Sequence, residues 1–208
     1  MKSAWPGRGL YVITPDEPDD DLLCRNVEQC VRAGASILQY RDKHRKAESR
    51  SRMAFVLKEI CHDTAVPFIV NDDPALARTC AADGVHLGND ELHRLPEALA
   101  LKPSLFVGVS CYDSLDRARA AVAAGAHHVA LGSVFGSSTK PGAPRCSLET
   151  LRTARRELAV PIVAIGGITP ENGRAALDAG ADFLAVISGV FAAPDIGDAV
   201  HQYAKLFA

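Results

Sequence analysis

The sequence predicts an α/β fold in which eight parallel strands close into a single (β/α)₈ TIM barrel, and three observations carry that prediction. Eight short apolar runs rich in β-branched residues recur along the 208 residues. Polar segments with apolar residues at three- and four-residue spacing separate them, and small-residue turns precede every second run. Near-continuous apolar runs belong to strands covered on both faces, and their alternation with helices makes the sheet parallel. A repeat of two βα units suits a barrel, whose interior layers draw on alternate strands. An open doubly wound sheet is the competing arrangement.

In order, the runs are GLYVIT (Gly9 to Thr14), SILQYR (Ser36 to Arg41), PFIVND (Pro67 to Asp72), GVHLG (Gly84 to Gly88), LFVGVS (Leu105 to Ser110), HVALGSV (His128 to Val134), PIVAIG (Pro161 to Gly166) and FLAVIS (Phe183 to Ser188). LDRARAAVAAG and PENGRAALDAG are the clearest amphipathic helices. The turns AGAS, AADG, AGAH and AGAD precede the second, fourth, sixth and eighth runs, and their glycines are expected to supply the left-handed or tight backbone that ends a helix.

Composition narrows the function. With 48% hydrophobic and 23% charged residues and a formal net charge of −2, the chain is an ordinary globular domain over residues 1–208, without the basic footprint of a nucleic-acid or membrane-surface protein. The six cysteines form no CxxC pair and read as reduced thiols. MKSAWPGRG carries no apolar run of a signal peptide, and no stretch approaches a membrane span, so a cytoplasmic protein is expected. Exposed helix faces permit a homo-oligomer without requiring one.

Barrel chemistry sits at the C-terminal strand ends. The second run ends in Gln39-Tyr40-Arg41-Asp42-Lys43, where alternation sends Gln39, Arg41 and Lys43 one way and Tyr40 and Asp42 the other. An amide and two cations at a barrel mouth suit a polyanion, Arg offering phosphate a bidentate fork; a solvated charge cluster opening a helix is the plainer alternative. The third run ends in Asn71-Asp72-Asp73-Pro74 and the fourth in His86-Leu87-Gly88-Asn89-Asp90-Glu91. Carboxylates at adjacent strand ends can share Mg²⁺ with substrate phosphates. Asp73 before Pro74 reads instead as a helix cap, and His86 as a hydrogen-bonded core histidine. The long sixth connection, Gly132-Ser133-Val134-Phe135-Gly136-Ser137-Ser138-Thr139-Lys140-Pro141-Gly142, offers hydroxyls, backbone donors and a lysine to phosphate without matching a P-loop. Glycines at the ends of the last two runs (Gly166, Gly167, Gly189) let backbone N–H groups approach a phosphate at a helix N-terminus. Two anion sites follow, suiting two phosphorylated ligands or one with phosphates at both ends.

Taken in order, QYRDK, VNDD, HLGNDE, GVSCYDS, GSVFGSSTKPG, AIGGI and VISGV resemble the thiamine phosphate synthase family, from the first strand to the last helix. The resemblance implies a Mg²⁺-dependent barrel that joins 4-amino-5-hydroxymethyl-2-methylpyrimidine diphosphate to a thiazole phosphate, giving thiamine phosphate and diphosphate. It implies that Gln39, Arg41, Lys43, Asn71, Ser110 and Lys140 hold the pyrimidine diphosphate, that Asp72 and Glu91 bind the metal, and that Ser137, Thr139, Gly167, Ile187 and Ser188 hold the thiazole phosphate. Of these, Arg41, Lys43, Ser110 and Lys140 are the expected catalytic residues. Glu91 stands where the family usually has Asp, so that Asp90 is an alternative ligand; Ser137 replaces a common Thr, and Tyr112 a common His. The implied chemistry is dissociative: diphosphate leaves, the electron-rich pyrimidine carries the cation, and the thiazole nitrogen adds to it. The thiazole tautomerase branch of the same superfamily, and a binding-only barrel, are the rival readings.

Overall fold

The structure is a computed structural model that describes residues 5–101, 105–136 and 145–208. Eight strands pair in parallel, in sequence order, as a closed barrel: β1 (Gly9–Ile13), β2 (Ile37–Tyr40), β3 (Phe68–Asn71), β4 (Gly84–Leu87), β5 (Phe106–Tyr112), β6 (His128–Gly132), β7 (Ile162–Ile165) and β8 (Phe183–Val186). Closure of β8 on β1, through Tyr11↔Ala185 and its neighbours, excludes the open sheet. Seven strands are shorter than the apolar runs that announced them. The residues left beyond their ends, such as Arg41, Asp72, Gly88 and Ile187, leave the ladder to build the mouth.

The helices are α1 (Asp20–Arg32), α2 (Ala47–Asp63), α3 (Pro74–Thr79), α4 (Leu95–Ala100), α5 (Leu115–Ala123), α6 (Leu148–Glu157), α7 (Gly173–Asp178), α8 (Ser188–Phe191) and α9 (Ile196–Ala204). Side-chain caps start several of them. Asp73 accepts from Leu76 N at 3.0 Å with Pro74 opening α3, as expected, and Asp19, Ser114 and Ser147 do the same for α1, α5 and α6.

Period-two alternation divides each strand between two cores. Leu10, Val12, Leu38, Val70 and Val107 face the helices, while Tyr11, Ile13, Ile37, Ile69, Val163 and Phe183 fill the barrel. Each such side chain, buried outright, contributes about 1.5–3 kcal/mol. Trp5 closes the bottom, stacked on Phe106 with centroids 4.0 Å apart and planes at 3°.

The two-unit repeat has a structural counterpart, with one correction. Gly34, Gly125 and Gly180 adopt φ of 106°, 103° and 103°, as the turns predicted. Before β4 the left-handed residue is Ala81 (φ 52°), whereas Gly84 already belongs to the strand. There a Cβ would lie 2.3 Å from Phe106 O, so Gly84 answers to close strand packing and not to the turn. The residue just before each even strand then stitches the preceding odd strand. Ser36, Asp83, His127 and Asp182 donate their N–H to Leu10, Phe68, Val107 and Ile162 carbonyls. The side chains of Asp83, His127 and Asp182 also accept from Phe68 N (2.9 Å), Val107 N (3.1 Å) and Ile162 N (2.8 Å). Buried Asp83 is further paired with Lys58 at 2.8 Å, which offsets its desolvation.

Candidate active site

One pocket opens at the C-terminal ends of the strands, and described residues of both the early and the late strand-end groups read from the sequence line it. Gln39, Arg41, Lys43, Asn71, Asp72, Glu91, Ser110, Gly167, Ile187 and Ser188 all line it. Ser137, Thr139 and Lys140 lie outside the described residues.

Alternation along β2 acts as expected. Gln39, Arg41 and Lys43 face the pocket, whereas Tyr40 packs in the outer core and Asp42 accepts from Arg45 N at 2.8 Å. Asp16, on the β1–α1 connection, escaped the sequence reading. It accepts from Arg41 Nη1 at 2.8 Å and from Lys43 N at 2.7 Å, fixing both the guanidinium and the backbone of the cationic loop. Burial works against its ionisation, but the hydrogen bonds from Lys43 and Arg41 outweigh it, and its pKa falls below the ordinary carboxylate value. Its position just past β1 was the available signal.

A directional chain of hydrogen bonds crosses three strands. Tyr11 donates to Gln39 Oε1 (2.7 Å), Gln39 Nε2 to Asn71 Oδ1 (2.7 Å), and Asn71 Nδ2 to Asp72 Oδ2 (2.6 Å). Every donor points toward the Asp72 carboxylate. Asp72 holds a left-handed backbone (φ 62°), pinned by its N–H on His86 O, by Arg94 on its carbonyl and by Gly88 N on its Oδ1 at 2.8 Å. For a non-glycine residue that conformation is strained, and the surrounding bonds over-determine it.

Glu91 comes to the same place. A Cβ on Gly88 would stand 2.9 Å from Glu91 Oε2 and 3.2 Å from Asp72 Oδ1, so the glycine makes room for two carboxylates. Burial first, and then the Asp72 charge, raise the Glu91 pKa. Asp90, the alternative ligand, is exposed and accepts from Asn89. Two carboxylates that repel each other, with Lys43 Nζ 3.7 Å from Asp72, form a donor set fitting a divalent cation. Among the described residues no cluster of three or more His, Cys, Asp or Glu side chains could hold a metal. Phosphate oxygens and water would complete the shell, as is usual for Mg²⁺.

Across the mouth, Ser110 Oγ lies 2.9 Å from His86 Nε2. His86 is a buried, hydrogen-bonded histidine, as expected, and it also borders the pocket. The ladder between β5 and β6 shifts register between Ser110 and Tyr112, and Tyr112 takes φ 54° with the Arg117 guanidinium 5.4 Å from its ring centroid. On the late side, Gly166 and Gly167 have φ of 102° and 62°. A Cβ at either would meet Ser133 Oγ at 2.2 Å or Gly136 O at 1.9 Å, so backbone alone can line this turn. Ile187 and Ser188 lead into α8 beside it. No helix among the described residues is long and apolar enough to cross a membrane.

This arrangement has relatives. A family model described as thiamine monophosphate synthase matches residues 10–190. The thiamine-phosphate synthase of Thiobacillus denitrificans is 47% identical over 204 residues, covering 98% of this chain and 96% of the relative. That of Aromatoleum aromaticum is 48% identical over 200 residues, covering 96% of each. Among solved structures, the thiamine phosphate pyrophosphorylase from Pyrococcus furiosus superposes with a TM-score of 0.86 at 32% identity, covering 96% of this chain and 95% of that one.

Proposed function

The chain belongs to the thiamine monophosphate synthase family, and from that premise we propose that it joins a pyrimidine diphosphate to a thiazole phosphate, releasing diphosphate and forming thiamine phosphate. The observation that carries the reading is the pairing of Asp72 with Glu91 in one mouth with Lys43, 3.7 Å from Asp72, with Arg41, and with the Gly166–Gly167 turn. A tautomerase acting on the thiazole alone would have no use for that diphosphate equipment.

Asp72 and Glu91 would hold Mg²⁺, which would neutralise charge on the diphosphate oxygens as the leaving group departs. Arg41 and Lys43 bind the diphosphate, with Asp16 holding the Arg41 guanidinium in place. Lys140, by the family resemblance, adds a third cation to the leaving group. Ser110 and Gln39 orient the pyrimidine, whose electron-rich ring carries the positive charge left on its methylene carbon. Ser137 and Thr139, again by resemblance, and the backbone at Gly167, Ile187 and Ser188 hold the thiazole phosphate so that its nitrogen faces that carbon. Carbon–oxygen cleavage and carbon–nitrogen formation need no protein nucleophile and no general base, only position and charge complementarity. Six thiols, none in a disulfide, suit a reducing cytoplasm.

The test is an assay with purified protein, the pyrimidine diphosphate, thiazole phosphate and Mg²⁺, following thiamine phosphate by thiochrome fluorescence. Product that requires all three additions is expected. A folded protein that binds thiazole phosphate but forms no product would overturn the proposal in favour of a tautomerase or a binding-only barrel.

A further inference from the structure

Beneath Ser110, three residues in register cross three neighbouring strands. His86 of β4 pairs with Gly108 of β5, and Gly108 with His128 of β6. The two imidazoles meet in the space that Gly108 leaves: His86 Nδ1 and His128 Nε2 are 3.4 Å apart. A Cβ on Gly108 would lie 2.0 Å from His128 Nε2 and 2.6 Å from His86 Nδ1. The other nitrogen of His86, Nε2, is the one 2.9 Å from Ser110 Oγ. Ser110 is two residues beyond Gly108, on the same inward face.

Donor counting gives this row a direction. A neutral imidazole has one N–H and one lone pair. His128 is wholly buried, and burial keeps it neutral. Its Nδ1 meets no polar partner among the described residues. Trp5, stacked on it with centroids 5.2 Å apart, has an indole N–H and no acceptor. A proton on Nδ1 would therefore be a buried donor without an acceptor, which is rarer in folded proteins than an under-used acceptor. The proton belongs on Nε2, where it is donated to His86 Nδ1. With Nδ1 of His86 accepting, the His86 proton sits on Nε2 and is donated to Ser110 Oγ. The serine oxygen is then an acceptor inside the protein, and its own hydrogen is left for the pocket.

We infer that His128 and His86 form a directional relay that commits the Ser110 hydroxyl to donate into the pocket, so that its partner on the ligand is a lone-pair atom such as an aromatic ring nitrogen. His86 is thus a positioning residue, acting through Ser110. The inference rests on the proposed placement of the pyrimidine at Ser110 and deepens it by naming the kind of atom that the serine selects.

Two experiments test it. Long-range proton–nitrogen correlation NMR on protein with isotope-labelled histidine, assigned with His86→Gln and His128→Gln, reads the tautomers without any substrate. Protonation at Nε2 in both rings is expected, and an Nδ1–H on His86 overturns the relay. In the synthase assay, His86→Leu is expected to raise KM for the pyrimidine diphosphate roughly tenfold while leaving that for thiazole phosphate within about twofold. His86→Gln, whose amide can still donate to Ser110, should recover most of the loss. In a Ser110→Ala background His86→Leu should add nothing, and an undiminished further loss there overturns the proposal. If wild-type protein makes no thiamine phosphate, the proposed reaction fails, while the tautomers still decide the relay.

Discussion

Asp16 Oδ2 accepts a hydrogen bond from Arg41 Nη1 at 2.8 Å, while its other oxygen takes the Lys43 N–H at 2.7 Å. One carboxylate thus aims the guanidinium and holds the loop from which the second cation projects. Asp16→Asn keeps the shape and removes the charge. A charge-assisted bond is worth ~1.5–3 kcal/mol, so KM for the pyrimidine diphosphate should rise about tenfold or more. Steady-state kinetics with each substrate varied in turn checks it. An equal rise for thiazole phosphate would mean a general disturbance of the mouth, not a role in aiming Arg41.

Gly88 separates the two carboxylates, and its missing side chain is what lets Glu91 Oε2 approach Asp72 Oδ1. In Gly88→Ala the Glu91 side chain must swing away, a change that flexible atoms can make without unfolding the protein. The Mg²⁺ concentration for half-maximal activity is expected to rise roughly tenfold, as when a metal ligand loses its support. A metal titration of the variant decides it, and an unaltered Mg²⁺ requirement would take Glu91 out of the site.

Ala81 carries a left-handed backbone that glycine carries at the three equivalent turns. An L-residue in that conformation costs roughly 1–2 kcal/mol, part of which Ala81→Gly recovers at some expense in chain entropy. A Tm higher by about 2–4 °C is expected in calorimetry, corresponding to ~1 kcal/mol in a chain of this size. A lower Tm would show that the turn does not hold Ala81 under strain.

His128 is wholly buried, and desolvation first, with the His86 and His127 charges second, holds its pKa well below 6.5. His127, half-buried, is lowered in the same sense by burial. As pH falls below the ordinary histidine value, the unfolded chain takes up protons that the folded one refuses. Stability is therefore complete above that value and declines as pH falls toward the folded pKa, by up to about 1.4 kcal/mol per pH unit for one proton. Urea midpoints measured near pH 7, 6 and 5 should decline accordingly, and less steeply in His128→Gln. An identical slope in that variant would assign the effect to other groups.

Much of the site was legible because alternation is local. Gln39, Arg41 and Lys43 share a face by the two-residue period of a strand, whatever surrounds them, and Asp73–Pro74 announces a helix start from two adjacent residues. Asp16 was missed because nothing near it in the chain reveals its partners, which lie 25 and 27 positions away. The turn before β4 was misassigned for the opposite reason. Glycine is the residue that usually takes a left-handed backbone, yet Gly84 is required by Phe106 O across the sheet and Ala81 takes the turn.

By itself, then, the sequence determined the alternation of eight strands with helices, the shared face of Gln39, Arg41 and Lys43, and the polar residues delivered to the strand ends. These follow from periodicity and caps, which act over a few residues. The tertiary structure alone decided which of those residues meet: Asp72 with Glu91 over Gly88, Arg41 with Asp16, and His86 with His128 over Gly108. Such meetings depend on the register between strands and on closure of the barrel. Both are set by packing among segments distant in the chain, which no local pattern encodes.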